Sequence, residues 1–158
     1  MIFISVFHIF FSLFLVFYPF FFRRSKYDYV ILFFIFTISW SWTLYKGECP
    51  LSYYLKKYND PSYEIGDNLY SDDIFVLFGK RNDIVKYYYT LSIPIIQSIT
   101  IYLLLARQNF SIVETYLYPI LFYGYYYSSF LQSSMINGFF TIVFAYVLYR
   151  IVKQSRFI

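Results

Sequence analysis

The chain has 158 residues, of which 59% are hydrophobic and only 14% charged, with a formal net charge of +4. Average soluble domains hold about 45–50% apolar and about 25% charged residues, so an ordinary water-soluble enzyme or binding domain is excluded. The class that fits is a single all-α membrane domain over residues 1–158. Its 13 Lys and Arg mostly flank apolar runs, which points to orientation in a bilayer and away from nucleic acid. The lone cysteine, Cys49, excludes an intrachain disulfide and a Cys-only metal site. Tyr and Phe number 21 each; both have codons rich in A and T, as expected of an AT-rich genome.

In chain order, the first apolar segment, 2–22, is uncharged and carries His8 as its conspicuous polar group. At about 1.5 Å per residue it is long enough to cross a hydrocarbon layer of about 30 Å. It lacks the basic start and small-residue cut site of a cleaved leader. Arg23, Arg24 and Lys26 follow it, so the expectation is an uncleaved anchor with its N-terminus outside. A second span covers 29–45 and ends in Trp40 and Trp42, suited to the headgroup layer. The third, 87–106, opens on Tyr87-Tyr88-Tyr89 and contains Pro94 and Gln97, the latter expected to bond between helices at about 0.6 kcal/mol.

The last apolar region divides best into a hairpin, 116–131 and 139–152, with turn chemistry at Gln132-Ser133-Ser134 and Asn137-Gly138. Five spans with the N-terminus outside place Arg23, Arg24, Lys26, Arg107, Arg150, Lys153 and Arg156 inside. A four-span bundle with the N-terminus inside is the alternative. The sequon Asn109-Phe110-Ser111 separates them, since a glycan there requires the four-span arrangement. Glu114 reads as an interfacial charge. No span carries an ionised residue at its centre, which argues against a pump or coupled transporter.

One polar stretch, 46–86, is set between these spans, with 13 charged residues among 41. Pro50 suits the first turn of a helix, and Leu51, Tyr54, Leu55 and Tyr58 recur at helical spacing. This predicts a short interfacial helix that buries the stripe in the headgroup layer and keeps Lys56 and Lys57 wet, ended by Asn59-Asp60-Pro61. The later piece, 74–78, is an apolar dip (re-entrant, strand or surface patch) closed by the charged turn 79–83. Glu48, Asp60, Glu64, Asp67, Asp72 and Asp73 match no metal-ligand spacing, and Gly66-Asp67-Asn68 fits a turn. Cys49 has one histidine to serve it as a base, His8, which five-span topology places on the same side of the membrane.

The stretch 42–66, with Trp42, then Gly47-Glu48-Cys49-Pro50-Leu51-Ser52, a Lys56-Lys57 pair, Asp60-Pro61, Tyr63 and Gly66-Asp67, resembles small multi-pass membrane proteins encoded by large DNA viruses. It is also similar to a family of small bacterial membrane proteins. Neither family has an assigned activity, so the resemblance implies a shared exposed element. The favoured expectation is a non-enzymatic multi-pass integral membrane protein, in a virion or host endomembrane. Its loop would dock a protein partner, a second copy or the lipid surface through Trp42, Gly47, Glu48, Cys49, Pro50, Ser52, Lys56, Lys57, Asp60, Pro61, Tyr63, Gly66 and Asp67. No catalytic residue, cofactor or metal is expected on that reading. The alternatives are a small enzyme acting on lipid headgroups through Cys49 and the loop carboxylates, and an oligomeric pore lined by 123–134.

Overall fold

A computed structural model describes residues 2–69, 76–131 and 133–155. Those residues form helices α1 (Ile2–Phe21), α2 (Tyr27–Leu44), α3 (Pro50–Asn59), α4 (Asn82–Arg107), α5 (Ile112–Ser129) and α6 (Ser134–Ser155), with a 3-10 segment over Val76–Arg81. The long helices pack side by side, α2 along α6, α4 along α5, and α1 against α4. The all-helical class is as expected.

The number of spans is not. Three helices, Tyr27–Leu44, Asp83–Arg107 and Ser134–Ser155, are long and apolar enough to cross a membrane. The apolar part of α1, Ser5–Phe21, is shorter than that standard, and α5 is diluted by Glu114, Thr115 and its tyrosines and serines. Length and hydropathy thus carry three crossings where five were expected.

The boundaries moved for identifiable reasons. At α5, Ser111 and Glu114 form a capping box: Ser111 Oγ accepts from the Glu114 N–H at 3.3 Å, and Glu114 Oε2 accepts from the Ser111 N–H at 3.2 Å. The helix therefore begins one turn before the expected 116. At α6 the Asn137 N–H donates to the Ser133 carbonyl at 3.0 Å, so Asn137-Gly138 lies within the helix and is not the expected turn. Of the expected apolar dip, Ile74 and Phe75 lie outside the described residues; Val76–Arg81 is 3-10 helix, not strand, broken at Gly79 by its φ of 53°.

The core is aromatic and aliphatic, with Leu32, Phe36, Ile101, Leu104, Leu105, Tyr125 and Phe144 inaccessible to solvent. Polar ties fix the helix ends opposite the 46–86 loop. Arg107 donates to the carbonyls of Pro19 and, at 2.8 Å, Phe22. Gln108 donates to the Ser25 carbonyl and to the buried Asp28 carboxylate, each at 2.8 Å. Thr100 Oγ1 donates to the Val16 carbonyl, so α1 and α4 run in the same direction in a defined register.

Candidate functional site

The loop is folded around Glu48. Lys46 (φ 52°) and Gly47 (φ 92°) turn the chain sharply after α2. At Gly47 a β-carbon would come within 3.0 Å of Ser129 Cβ on α5, so the turn needs glycine for both conformation and space. Glu48, next in the chain, is 0% exposed. Its carboxylate accepts from Lys56 Nζ and the Tyr63 hydroxyl, each at 2.8 Å, and from the Gly66 N–H at 3.2 Å. Lys56 also donates to the Asn68 carbonyl at 2.6 Å, and Lys57 to the Tyr63 carbonyl at 2.9 Å.

This overturns the expectation of two wet lysines. The Lys56 side chain is only 15% exposed, because a buried carboxylate demands a paired cation. With Lys56 and Ser52 turned inward, α3 presents Tyr54 and Tyr58 outward, the latter 82% exposed. Pro50 does stand in the first turn of the helix.

Cys49 is the N-cap of α3, and its Sγ lies 3.7 Å from His8 Nε2 on α1. The opposite directions of α1 and α2 bring residues 41 positions apart to the same end of the bundle. Burial pushes the Cys49 thiol up. The hydrogen bond and charge of His8, with the N–H groups of Ser52 and Leu51, outweigh that and hold the thiol below its ordinary range. A thiol lowered in this way at a helix N-terminus has more of the nucleophilic thiolate at neutral pH.

Beneath this pair lies a cavity of about 130 Å³ lined from α1, α2, α4, α5 and the loop. Most of its wall is apolar: Leu15, Ile35, Ile38, Ile93 and Phe122. Two side chains on it, Trp42 and Gln97, hold buried N–H donors with no hydrogen-bond partner, at Nε1 and Nε2 respectively. Gln97, expected to bond between helices, instead stands 8% exposed on this wall with Nε2 unsatisfied. Buried unpaired donors cost free energy, and both belong to side chains that line this space, where a bound acceptor would lie close to them. The 84-residue offset between Val16 and Thr100 puts His8 level with Ser92. Gln97 is then five residues deeper, about 7–8 Å at about 1.5 Å per residue.

Of the remaining loop residues, Gly66 is buried against Glu48, whereas Asp60, Pro61 and Asp67 are exposed. Asp60 accepts from the Ser62 N–H at 2.9 Å and Asp67 from the Glu64 N–H at 2.9 Å, both local turn bonds. The Ser62 contacts hold the Asp60 carboxyl below its usual range. Among the described residues no three His, Cys, Asp or Glu side chains gather as metal ligands would; Asp72 and Asp73 lie outside them. Glu114, expected as an interfacial charge, pairs with Arg150 at 2.7 Å and caps its own helix. In 123–134, Ser128 and Ser129 return their hydroxyls to carbonyls of their own helix, those of Tyr125 and Tyr126.

Sequence reasoning named His8, Pro94 and Gln97 singly but did not read the helix faces that they share with other cavity residues. His8, Ser12 and Leu15 share one face of α1, opposite the phenylalanine stripe Phe3, Phe7, Phe10 and Phe14, which is exposed. Thr90, Pro94 and Gln97 likewise share a face of α4 on the cavity. Polar residues four or seven apart in an apolar helix were the available signal. Comparison with protein-family models, curated proteins and solved structures finds no match to this chain, so the geometry alone carries the functional reading.

Proposed function

We propose that this is a multi-pass integral membrane protein that binds a small, largely apolar molecule bearing hydrogen-bond acceptors, held between its helices beneath the 46–86 loop. The observation that carries this reading is the cavity itself, largely apolar walls with two unsatisfied buried N–H donors on the side chains that line it. Ligand sites commonly combine an apolar lining with a few placed polar groups. An apolar cavity of about 150 Å³ takes up benzene, so about 130 Å³ suits a ligand of similar size.

Five crossings are part of the proposal. The exposed side chains of Phe3, Phe7, Phe10 and Phe14 on α1, and of Ile112, Tyr116 and Ile120 on α5, call for lipid around these helices too. Arg23, Arg24, Lys26, Arg107 and Arg150 gather at the end opposite the loop, which favours that end as the cytoplasmic one. The exposed Tyr54 and Tyr58 of α3 suit the headgroup layer. Partner docking through Gly47, Glu48, Cys49 and Ser52 loses support, because these residues face inward.

The test is equilibrium dialysis of the full chain in lipid nanodiscs against cyclohexanone and cyclohexane, with protein-free nanodiscs as the reference. Excess uptake of the ketone, reduced at least about fivefold in Gln97→Leu, about 1 kcal/mol for one hydrogen bond, is expected. Ketone uptake no greater than in protein-free discs would overturn the reading.

A further inference from the structure

The cavity explains a ligand but leaves its most reactive neighbour without a task. The Cys49 thiol stands at the cavity's loop end, 3.7 Å from His8 Nε2. A thiol beside an imidazole is a contact that many proteins hold with no chemistry attached. Here a second and independent feature points to a ligand: the Gln97 amide on the same cavity wall, 8% exposed, with Nε2 unsatisfied. Trp42 adds another unsatisfied donor, Nε1, on the last turn of α2, whose Trp42 carbonyl accepts from the Gly47 N–H at 2.7 Å. A molecule that satisfies these donors offers oxygen acceptors, and a carbonyl held under the loop lies beside sulfur. Resting on the ligand-binding reading above, we propose that Cys49 is a nucleophile that takes up a short acyl group from an ester, with His8 as its base.

The step balances without an external oxidant or reductant. The Cys49 S–H proton passes to His8 Nε2, and sulfur adds to the ester carbonyl carbon. The C–O bond to the alcohol then breaks, and His8 returns the proton to the departing oxygen. The products are an S-acyl Cys49 thioester and a free alcohol. Water completes the cycle by attacking the thioester carbon, releasing a carboxylic acid and restoring the thiol. The requirement on the nucleophile is a base within hydrogen-bond reach, and the His8–Cys49 separation meets it within the longer range that sulfur allows.

The cavity also sets the kind of acyl group. By comparison with benzene in an apolar space of about 150 Å³, the acyl group has about six carbon atoms or fewer. Gln97, about 7–8 Å deeper than His8 along the helix direction, is a specificity-determining residue for an oxygen at the far end of that group. A 5-oxohexanoyl group places an acceptor there, whereas a hexanoyl group of the same length leaves the amide unsatisfied.

The experiment uses the full chain in nanodiscs, exposed to p-nitrophenyl 5-oxohexanoate and p-nitrophenyl hexanoate, with p-nitrophenolate release followed by absorbance and the modified residue mapped by mass spectrometry. The expected result is one acyl group on Cys49, removed by hydroxylamine and absent in Cys49→Ser. His8→Gln slows acylation by about 10²-fold, the lower range for a lost general base. The oxo ester reacts at least about fivefold faster than hexanoate in the wild type, equivalent to about 1 kcal/mol for one hydrogen bond, and the two react equally in Gln97→Leu. Circular dichroism and a thermal unfolding midpoint close to that of the wild type report that Cys49→Ser and His8→Gln remain folded. Acylation that maps elsewhere, or that proceeds unchanged in Cys49→Ser or His8→Gln, would overturn the proposal. Wild type that takes up cyclohexanone yet acquires no acyl group would overturn the nucleophile and leave the binding reading standing. Loss of both would remove both.

Discussion

His8 Nε2 lies 3.7 Å from Cys49 Sγ, joining the second turn of one apolar helix to the N-cap of a loop helix. The contact exists because α1 and α2 run in opposite directions and Gly47 lets the chain fold back at the end of α2. Both residue types were visible in the sequence, and the five-span expectation set them on one side of the membrane. Their contact required the loop to bend inward.

Alkylation of Cys49 reports this contact through its pH dependence. His8 and the Ser52 and Leu51 N–H groups hold the thiol below its ordinary range, and the thiolate is the reacting form. The rate of reaction with iodoacetamide should therefore reach its plateau at lower pH than for a free thiol. His8→Ala removes a group that lowers the pKa, so the profile moves to higher pH. An unchanged profile would mean that the imidazole does not act on the sulfur.

The Glu48 cluster should dominate the stability of the loop. Breaking a buried ion pair by removing one partner costs about 3–5 kcal/mol, and Glu48 has no exposure. Glu48→Ala and Lys56→Met are each expected to lose stability in this range on detergent unfolding, with the double variant losing less than the sum. Additive losses would show that the pair is not coupled.

Gly47→Ala forces a β-carbon into a φ of 92° and to within 3.0 Å of Ser129 Cβ. The backbone effect alone is about 1–2 kcal/mol. Thermal unfolding should show that loss, and Ser129→Gly should recover only the part due to crowding. Full recovery would place the whole cost in the contact.

Gln97→Leu should separate stability from function. Replacing an unsatisfied buried amide with an apolar side chain of similar size removes an unpaired donor. The variant is expected to gain roughly 1 kcal/mol of stability and so to unfold at a slightly higher temperature, while its ketone uptake falls. A loss of stability in the ligand-free protein would show that the amide is already satisfied.

Sequence pattern made the helices legible but not their partners. Apolar runs located five long helices, and Pro50 located the start of α3. Ser111 and Glu114 carried a readable capping box that the apolar run obscured, since Ile112 and Val113 attracted no boundary. The inward turn of Lys56 was not legible, because helical spacing places Leu51, Tyr54, Leu55 and Tyr58 on one face without saying which face the protein covers. Burial of Glu48 reversed the choice: once a carboxylate is enclosed, the nearest lysine must follow it. The cavity was still less legible, since it exists only where His8, Trp42, Cys49 and Gln97 converge from separate elements.

Protection of Cys49 from N-ethylmaleimide by cyclohexanone, measured on the full chain in nanodiscs, joins the ligand, the cavity and the thiol in one measurement. Ketone near its wild-type Kd should roughly halve the alkylation rate of the wild type and slow Gln97→Leu far less. Wild-type alkylation that proceeds at the same rate with and without the ketone would contradict a ligand site beneath the loop.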